Sequence, residues 1–523
     1  MSLRYPVAVA MAGFLALAVL GLWLRPLFPI DETRYLDVAW EMHLSGNWLV
    51  PTKNFALYSD KPPLLFWMIN LIWLLTGVSE FTARLVGPLF GCAAIWLTAV
   101  LARRLWPEEP QIGGKAALGL VGLVVFALSA SLTMFDVPLA VATLLGLIAL
   151  ERAGRAEASL APWVGFGTAI ALGVITKGPV ILFHLLPVAI LLPIWSSTPM
   201  PWSALPKRLI FGVAVALLFV ALWLLPASIL GGPEYREAIL WHQSAGRLAG
   251  SFAHARPWWF YLALLPALAF PLFWSVGLWR NLPRLRGDRG LRLCLIWVAS
   301  AFVLFSLTSG KQLHYLVPEL PAFALLAACL APQRGDRLWP AAILLALLAA
   351  FAIAVVLGLV PLHRAATLVT PKSMFVAFAL LLLATGWLAL RQSGAVAATI
   401  LSLGLLLAVN LLIGTTDTAQ IYNAHPVAGI MGRNPQDGLA FTGEPYHAQF
   451  NFAARLTAPV DELADAEAVR DWAKSHPKGL IVGPTDEANL PLPPRDTVLF
   501  RNSDYGIWSA ADLNDPTSEG TSQ

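Results

Sequence analysis

Long apolar runs, broken by short polar or charged turns, recur along this chain from residue 6 to residue 414 and then stop. A helix needs about 20 predominantly apolar residues to cross the hydrocarbon core of a bilayer. On that basis the pattern predicts thirteen spans, near residues 6–24, 82–102, 116–134, 137–151, 160–176, 178–196, 208–227, 257–279, 291–308, 313–331, 338–361, 373–390 and 395–414. The first run follows Arg4, lacks a small-residue cleavage site and is followed by Arg25-Pro26, so it reads as an uncleaved span rather than a secretory signal.

One apolar stretch, 62–77, is left out, because counting it would invert every later loop. With it lying in the headgroup layer, a position that suits Trp67 and Trp73, the basic residues Arg103, Arg104, Lys115, Arg152, Arg155, Lys207, Arg208, Arg334, Arg337 and Arg391 all fall on the N-terminal side of the membrane. The loop holding Arg280, Arg284, Arg286, Arg289 and Arg292 falls there too. The positive-inside rule makes that side cytoplasmic. Segments 25–81, 135–137, 177, 228–256, 309–312 and 362–372, and everything after Thr415, are then periplasmic, and the unusual polar residues collect among them.

The tail, 415–523, changes character: Asp, Glu, Asn and Pro become common, and short strand-like pieces (438–442, 479–482, 497–500) alternate with a helical stretch, 461–475. This predicts two domains, an all-α polytopic membrane domain over 1–414 and a small periplasmic α/β domain over 415–523, with the last ten residues disordered. Composition agrees, since 58% of residues are hydrophobic and 13% charged, against roughly 25% charged in soluble domains. A water-soluble fold is excluded. The net charge of +4 does not signal nucleic acid, because Lys and Arg sit in short clusters between apolar runs, where they act as topology signals. Cys92, Cys294 and Cys329 fall in apolar segments without metal-ligand spacing and read as packing residues.

Candidate chemistry starts at Asp31-Glu32-Thr33-Arg34-Tyr35, directly after the first span. Two carboxylates at the end of a membrane helix are costly near lipid, so either they mark the water interface and cap the next helix, or they serve a site. An amphipathic helix continues from Tyr35 to Ser45-Gly46, and Tyr58-Ser59-Asp60-Lys61-Pro62-Pro63 follows. A D-E-x-R-Y motif, a helix ending in S-G-x-W-x-x-P, then Y-x-x-K-P-P-L and A-R-L-x-G-P-L-F-G resembles the lipid A aminoarabinose transferases. These belong to the superfamily of protein O-mannosyltransferase-like, polyprenyl-phosphate-dependent membrane glycosyltransferases of the GT-C type. Further matches are Asp136 in Met-Phe-Asp-Val-Pro-Leu, Thr176-Lys177-Gly178-Pro179, His254-Ala-Arg-Pro-Trp-Trp-Phe-Tyr, and Ser309-Gly-Lys-Gln-Leu-His-Tyr315.

The resemblance implies a multi-pass protein of the bacterial inner membrane with thirteen spans and interfacial helices in its first outer loop. It implies an inverting glycosyltransferase that moves a sugar, aminoarabinose or another, from undecaprenyl phosphate to lipid A or another envelope acceptor. The departing phosphate needs its growing charge neutralised. By resemblance Arg34 and Lys61 bind it, with Lys311 as a third cation and Tyr58 and Tyr315 as hydrogen-bond donors. Asp31 is the residue expected to face the acceptor, with Asp136 and Glu32 as further acidic members of the catalytic group. Asp60 and His254 are candidate ligands for a divalent metal; no other cofactor is implied. Duller roles stay open: Asp136 as a helix cap, Lys177 and Lys311 as snorkelling span ends, and His242, His314 and His447 as surface or interface residues. The donor site would serve a protein O-glycosyltransferase equally well. A secondary transporter would instead place ionisable groups at the bilayer midplane within an inverted repeat, a pattern this sequence lacks.

Overall fold

A computed structural model describes residues 5–155, 159–239, 255–281, 283, 287–330, 337–360, 369–501 and 503–514. The chain is mostly helical. Among the described residues nine helices are long and apolar enough to cross a bilayer, or ten when one bent pair is counted as a span. Helix Pro6–Leu24 ends because Arg25 precedes Pro26 and is forced into extended backbone. Helix Asp31–Ser45 follows at once, with Asp31 and Glu32 in its first turn, where the helix dipole favours negative charge. It stops at Gly46, whose φ of 66° is the left-handed conformation that closes helices. Helix Leu64–Thr76 has 13 residues and so measures about 20 Å at 1.5 Å per residue, too short to cross a core of about 30 Å.

Three expected spans take other forms, and a fourth run keeps the expected reversal. The run 116–134 becomes Ile112–Gly122 and Val124–Ala130, bent by 77°. The run 257–279 is not one helix but three short pieces, Phe260–Leu268, Leu272–Trp274 and Val276–Arg280. Pro266 and Pro271 remove backbone donors from that stretch, and a helix is interrupted where such donors are lost. The run 313–331 opens as a 3-10 turn, Leu313–Glu319, before helix Leu320–Leu330. The apolar run Ala161–Ile190 doubles back at Lys177: Ile181 packs on Gly173, Lys177 reaches Asp136 at the start of helix Asp136–Ala153, and Leu185 then passes Gly146. Two antiparallel segments result, as the T-K-G turn suggested. The expected all-α polytopic architecture is met, while the nine or ten helices counted among the described residues do not establish the expected thirteen spans.

Basic loops gather at one end of the bundle. Arg104 and Arg155 both bond to Glu151, and Arg292 donates to the carbonyl of Ile194 at 3.0 Å. Arg284, Arg286 and Arg334 lie outside the described residues.

Beyond helix Gly394–Thr415 the chain builds a five-stranded sheet in the spatial order Asp461–Leu463, Leu439–Thr442, Leu480–Pro484, Ser503–Ser509, Asp496–Phe500. The first three strands are parallel and the last two antiparallel to their neighbours. The segment expected to be helical from 461 splits: Asp461–Leu463 is an edge strand, and the helix starts at Ala466, with the Asp465 carboxylate accepting from the amides of Glu467 and Ala468. The extreme C-terminus lies, apart from Asn514, outside the described residues.

This C-terminal unit is clasped to the segment that follows the first span. Asn54 donates to the carbonyl of Val460 at 2.8 Å and accepts from its amide at 2.9 Å. Trp73 stacks on Phe452 with centroids 5.6 Å apart, and Trp40 donates to the carbonyl of Leu456. Under this clasp Asp37 and Glu41, one turn apart on the same helix, are both buried. The Asp37 carboxylate accepts from the Asn54 amide and Glu41 from that of Phe55. Burial first, and then the neighbouring Glu41 carboxylate, hold Asp37 well above the usual carboxylate range, and burial raises Glu41 as well.

The folded clasp therefore binds more protons than the unfolded chain. Its contribution is complete below about pH 4, the range of exposed carboxylates, and is lost as pH rises through the raised folded value. Asp37→Asn, which keeps the shape but cannot ionise, is expected to flatten the fall in thermal midpoint between about pH 5 and pH 8. An unchanged slope would remove this pair from the pH response.

Candidate active site

The site is assembled where helix Asp31–Ser45 meets the turn that leads into helix Asp136–Ala153. Glu32 makes the joint. Its carboxylate takes a hydrogen bond from Arg25 at 2.9 Å, from the Phe28 amide at 2.9 Å and from the Thr133 amide at 2.8 Å. Arg25 donates in turn to the Ser131 carbonyl at 2.6 Å. Burial opposes ionisation of Glu32, but Arg25, Arg84 and the two amides outweigh it and hold the group below the usual carboxylate range. At 1% exposure and with its oxygens engaged inside the protein, Glu32 cannot reach a substrate. Its expected place among the catalytic carboxylates is corrected to that of an anchor.

Asp31, one residue earlier, is directed differently: its side chain is 42% exposed and lies 2.5 Å from Arg34. Arg34 is also under the influence of Tyr58 and Tyr35. Burial, then the Asp31 carboxylate, push the Tyr35 phenol well above its ordinary value, so it stays a hydrogen-bond donor. Tyr35, Phe66 and Phe135 form an edge-to-face cluster that supports it, with Tyr35 and Phe135 centroids 4.9 Å apart. Tyr58 packs on the same Phe66.

Asp136 is 2% exposed and bonds Lys177 at 2.5 Å. Lys177 lies 4.8 Å from the centroid of the Tyr315 ring, a cation–π contact. His314 completes the group: the charges acting on it are Asp136, Lys177, Asp31 and Lys61. Lys61 acts on Asp136 as well. Asp31, Lys61, Asp136, Lys177, His314 and Tyr315 therefore share one electrostatic neighbourhood at the end of the bundle opposite the basic loops. One turn deeper, His184 and Glu319 form a fully buried pair at 2.5 Å, which holds the Leu313–Glu319 turn against helix Ile181–Ile190.

Lys311, expected as a third phosphate cation, is occupied elsewhere. It is buried and donates to the main-chain carbonyls of Arg256, at 3.0 Å, and Thr308. It braces the 255–310 bridge instead of facing the Asp136 group. Asp60 is exposed, and its proposed metal partner His254 lies outside the described residues. Among the described residues no three His, Cys, Asp or Glu side chains converge as a metal site would require. Lys177, His314, Tyr35 and Glu319 were not singled out as site residues by sequence reasoning. Lys177, Tyr35 and His314 each lay within a quoted motif, whereas Glu319 carried no signal.

Residues 60–225 match the protein family described as dolichyl-phosphate-mannose-protein mannosyltransferase. Over the whole molecule, the fold is that of ArnT from Cupriavidus metallidurans. The superposition on its apo crystal structure has a TM-score of 0.75 at 21% identity and covers 98% of this chain and 99% of that one. The form bound to undecaprenyl phosphate gives 0.73. The chain thus has a GT-C-type membrane fold.

Within that class the particular likeness is to the aminoarabinose transferases. The chain is 33% identical over 347 residues to undecaprenyl phosphate-alpha-4-amino-4-deoxy-L-arabinose arabinosyl transferase 2 of Pseudomonas fluorescens, a match covering 65% of this chain and 61% of that protein's length. The corresponding transferase of Pseudomonas aeruginosa is 32% identical over 324 residues, 56% of its length. The resemblance drawn from the motifs holds.

Removing one partner of a buried ion pair strands the other charge and typically costs about 3–5 kcal/mol. Lys177→Met is expected to lower the unfolding midpoint in detergent, and the double variant Asp136→Asn/Lys177→Met to regain most of the loss. Equal loss in both variants would deny the pairing its structural weight.

Proposed function

We propose that this protein is an inverting glycosyltransferase that moves a sugar from a polyprenyl phosphate carrier to a lipid A-like or other envelope acceptor at the periplasmic face of the inner membrane. In this reading residues 1–414 form the catalytic membrane domain and 415–523 a periplasmic unit. The single observation that carries it is the convergence of Asp31, Lys61, Asp136, Lys177 and His314 from four separate parts of the chain. The likeness to transferases named for an undecaprenyl phosphate sugar supports the same donor class.

The chemistry follows from charge. When the bond between the anomeric carbon and the carrier phosphate breaks, its electron pair stays on the phosphate oxygen. Lys61, with Lys177 and His314 behind it, stabilises that charge in a site of low dielectric. The Asp136 carboxylate holds Lys177 in place, and the Tyr315 ring confines its ammonium. Tyr58 and Tyr35 orient Arg34 beside Asp31.

Asp31 faces the acceptor. From a hydroxyl it takes the proton as the new bond to the anomeric carbon forms. For an acceptor that is already an ionised phosphate it positions the nucleophile and stabilises positive charge on the sugar. One displacement inverts the anomeric centre, whereas retention would need a second carboxylate acting as nucleophile. Glu32 is committed to Arg25 and Thr133 and does not supply one.

Asp31→Asn is expected to abolish transfer while the protein remains inserted and folded; wild-type turnover in that variant would take Asp31 out of the reaction. Lys61→Ala should raise the donor KM by about tenfold or more, the scale of one charge-assisted hydrogen bond. Mass spectrometry of envelope lipids from a deletion strain identifies sugar and acceptor together, and a lipid profile with no sugar missing would overturn the proposal.

A further inference from the structure

The turn Leu313–Glu319 carries Tyr315, whose ring lies 4.8 Å from the Lys177 ammonium, and it is tied down at both ends. Just before it, the Gln312 carbonyl accepts from the Tyr261 hydroxyl at 3.2 Å. At its last residue, Glu319 Oε1 stands 2.5 Å from His184 Nδ1. Both members of this second tie are fully buried, and the imidazole Nε2 and the carboxyl Oε2 have no hydrogen-bond partner among the described residues.

Unpaired polar atoms in an apolar interior are costly, and two apolar side chains of similar size would fill the same space at lower cost. What the polar pair adds is direction: a hydrogen bond fixes one side chain relative to the other, whereas apolar contact has no preferred direction. His184 belongs to helix Ile181–Ile190, the returning arm of the reversal that has Lys177 at its tip. Phe305, from helix Arg289–Leu307, lies between the two levels, its ring centroid 5.3 Å from that of His184 and 6.0 Å from that of Tyr315. Closely packed interiors transmit displacement rather than absorb it. The link therefore runs from the buried pair, through the turn and the Phe305 ring, to Tyr315 and so to Lys177, which Asp136 also holds, at 2.5 Å.

We propose that His184 and Glu319 are positioning residues for the transfer step: by fixing the Leu313–Glu319 turn they keep the Tyr315 ring against Lys177, and so keep that cation where the departing phosphate gathers charge. The inference rests on the transferase reading above and adds to it a pair that touches neither reactant and acts through Tyr315.

The test reads the reactivity of Lys177 in the full-length protein in detergent. Acylation by a water-soluble N-hydroxysuccinimide ester is followed at single lysines by mass spectrometry, beside the binding of undecaprenyl phosphate. His184→Ala is expected to speed acylation of Lys177 by about threefold or more, the scale of one cation–π contact, while Lys207 and Lys474, both exposed, keep their wild-type rates. His184→Asn, whose amide stands near the place of Nδ1, should restore most of the protection. Tyr315→Leu should speed Lys177 as much as His184→Ala does, and the double variant no further, because the two act in series. Undecaprenyl phosphate should bind more weakly wherever Lys177 reacts faster. If the alanine variant does not fold, Glu319→Leu breaks the same tie from the opposite side. An unmoved Lys177 rate, a rise shared with Lys207 and Lys474, additive effects in the double variant, or unchanged carrier binding beside a faster Lys177 would each overturn the assignment. Neither readout needs turnover, so a wild-type protein that gave the expected pattern and transferred no sugar would refute the transferase reading and leave the positioning of Lys177 standing.

Discussion

The arrangement depends on one buried contact, the ion pair of Glu32 with Arg25 and the backbone groups that close around it. Neither side chain has water to solvate it, and the 131–133 turn would otherwise present an amide and a carbonyl to a low-dielectric interior. Each need is met by the other. The result fixes the first turn of helix Asp31–Ser45 against the approach to Asp136, so two acidic residues distant in sequence both act on His314. Loosening that contact would disperse the site even if every other site side chain were kept.

The coarse architecture was readable because its cause is local. A run of apolar residues long enough to cross hydrocarbon does so, and clusters of arginine between such runs report their side. What could not be read was how a span breaks. Pro266 and Pro271 announce an interruption, but the 77° bend between Ile112–Gly122 and Val124–Ala130 depends on neighbours that no local pattern encodes. The edge strand Asp461–Leu463 was hidden for a similar reason: an Asp-Glu-Leu segment has little strand character of its own and becomes one by pairing with Leu439–Thr442.

The site shows the same division. Asp31, Arg34 and Lys61 sit in compact motifs and could be named, whereas the pairing of Lys177 with Asp136 arises only when a helical hairpin doubles back. Asp31 and Glu32 were indistinguishable in sequence, yet adjacent positions on a helix point about 100° apart, and that turn separates a solvent-facing acid from a buried anchor. Lys311 was expected as a phosphate cation from its place in the Ser309–Tyr315 motif; two nearby carbonyls claim it instead.

The short helix Leu64–Thr76 has a further bearing on how reactants meet. It runs directly from Lys61 and leaves Leu71, Leu74 and Leu75 exposed along its far part, while Trp73 is turned inward onto Phe452. A short helix with one exposed leucine face suits the rim of a leaflet, where those leucines would lie among acyl chains. In the proposed transfer, two lipid-linked reactants would bring their head groups together there while their tails stay in the lipid. Encounter becomes a search in a plane rather than a volume, and the rate of reaction would follow the surface density and fluidity of one monolayer.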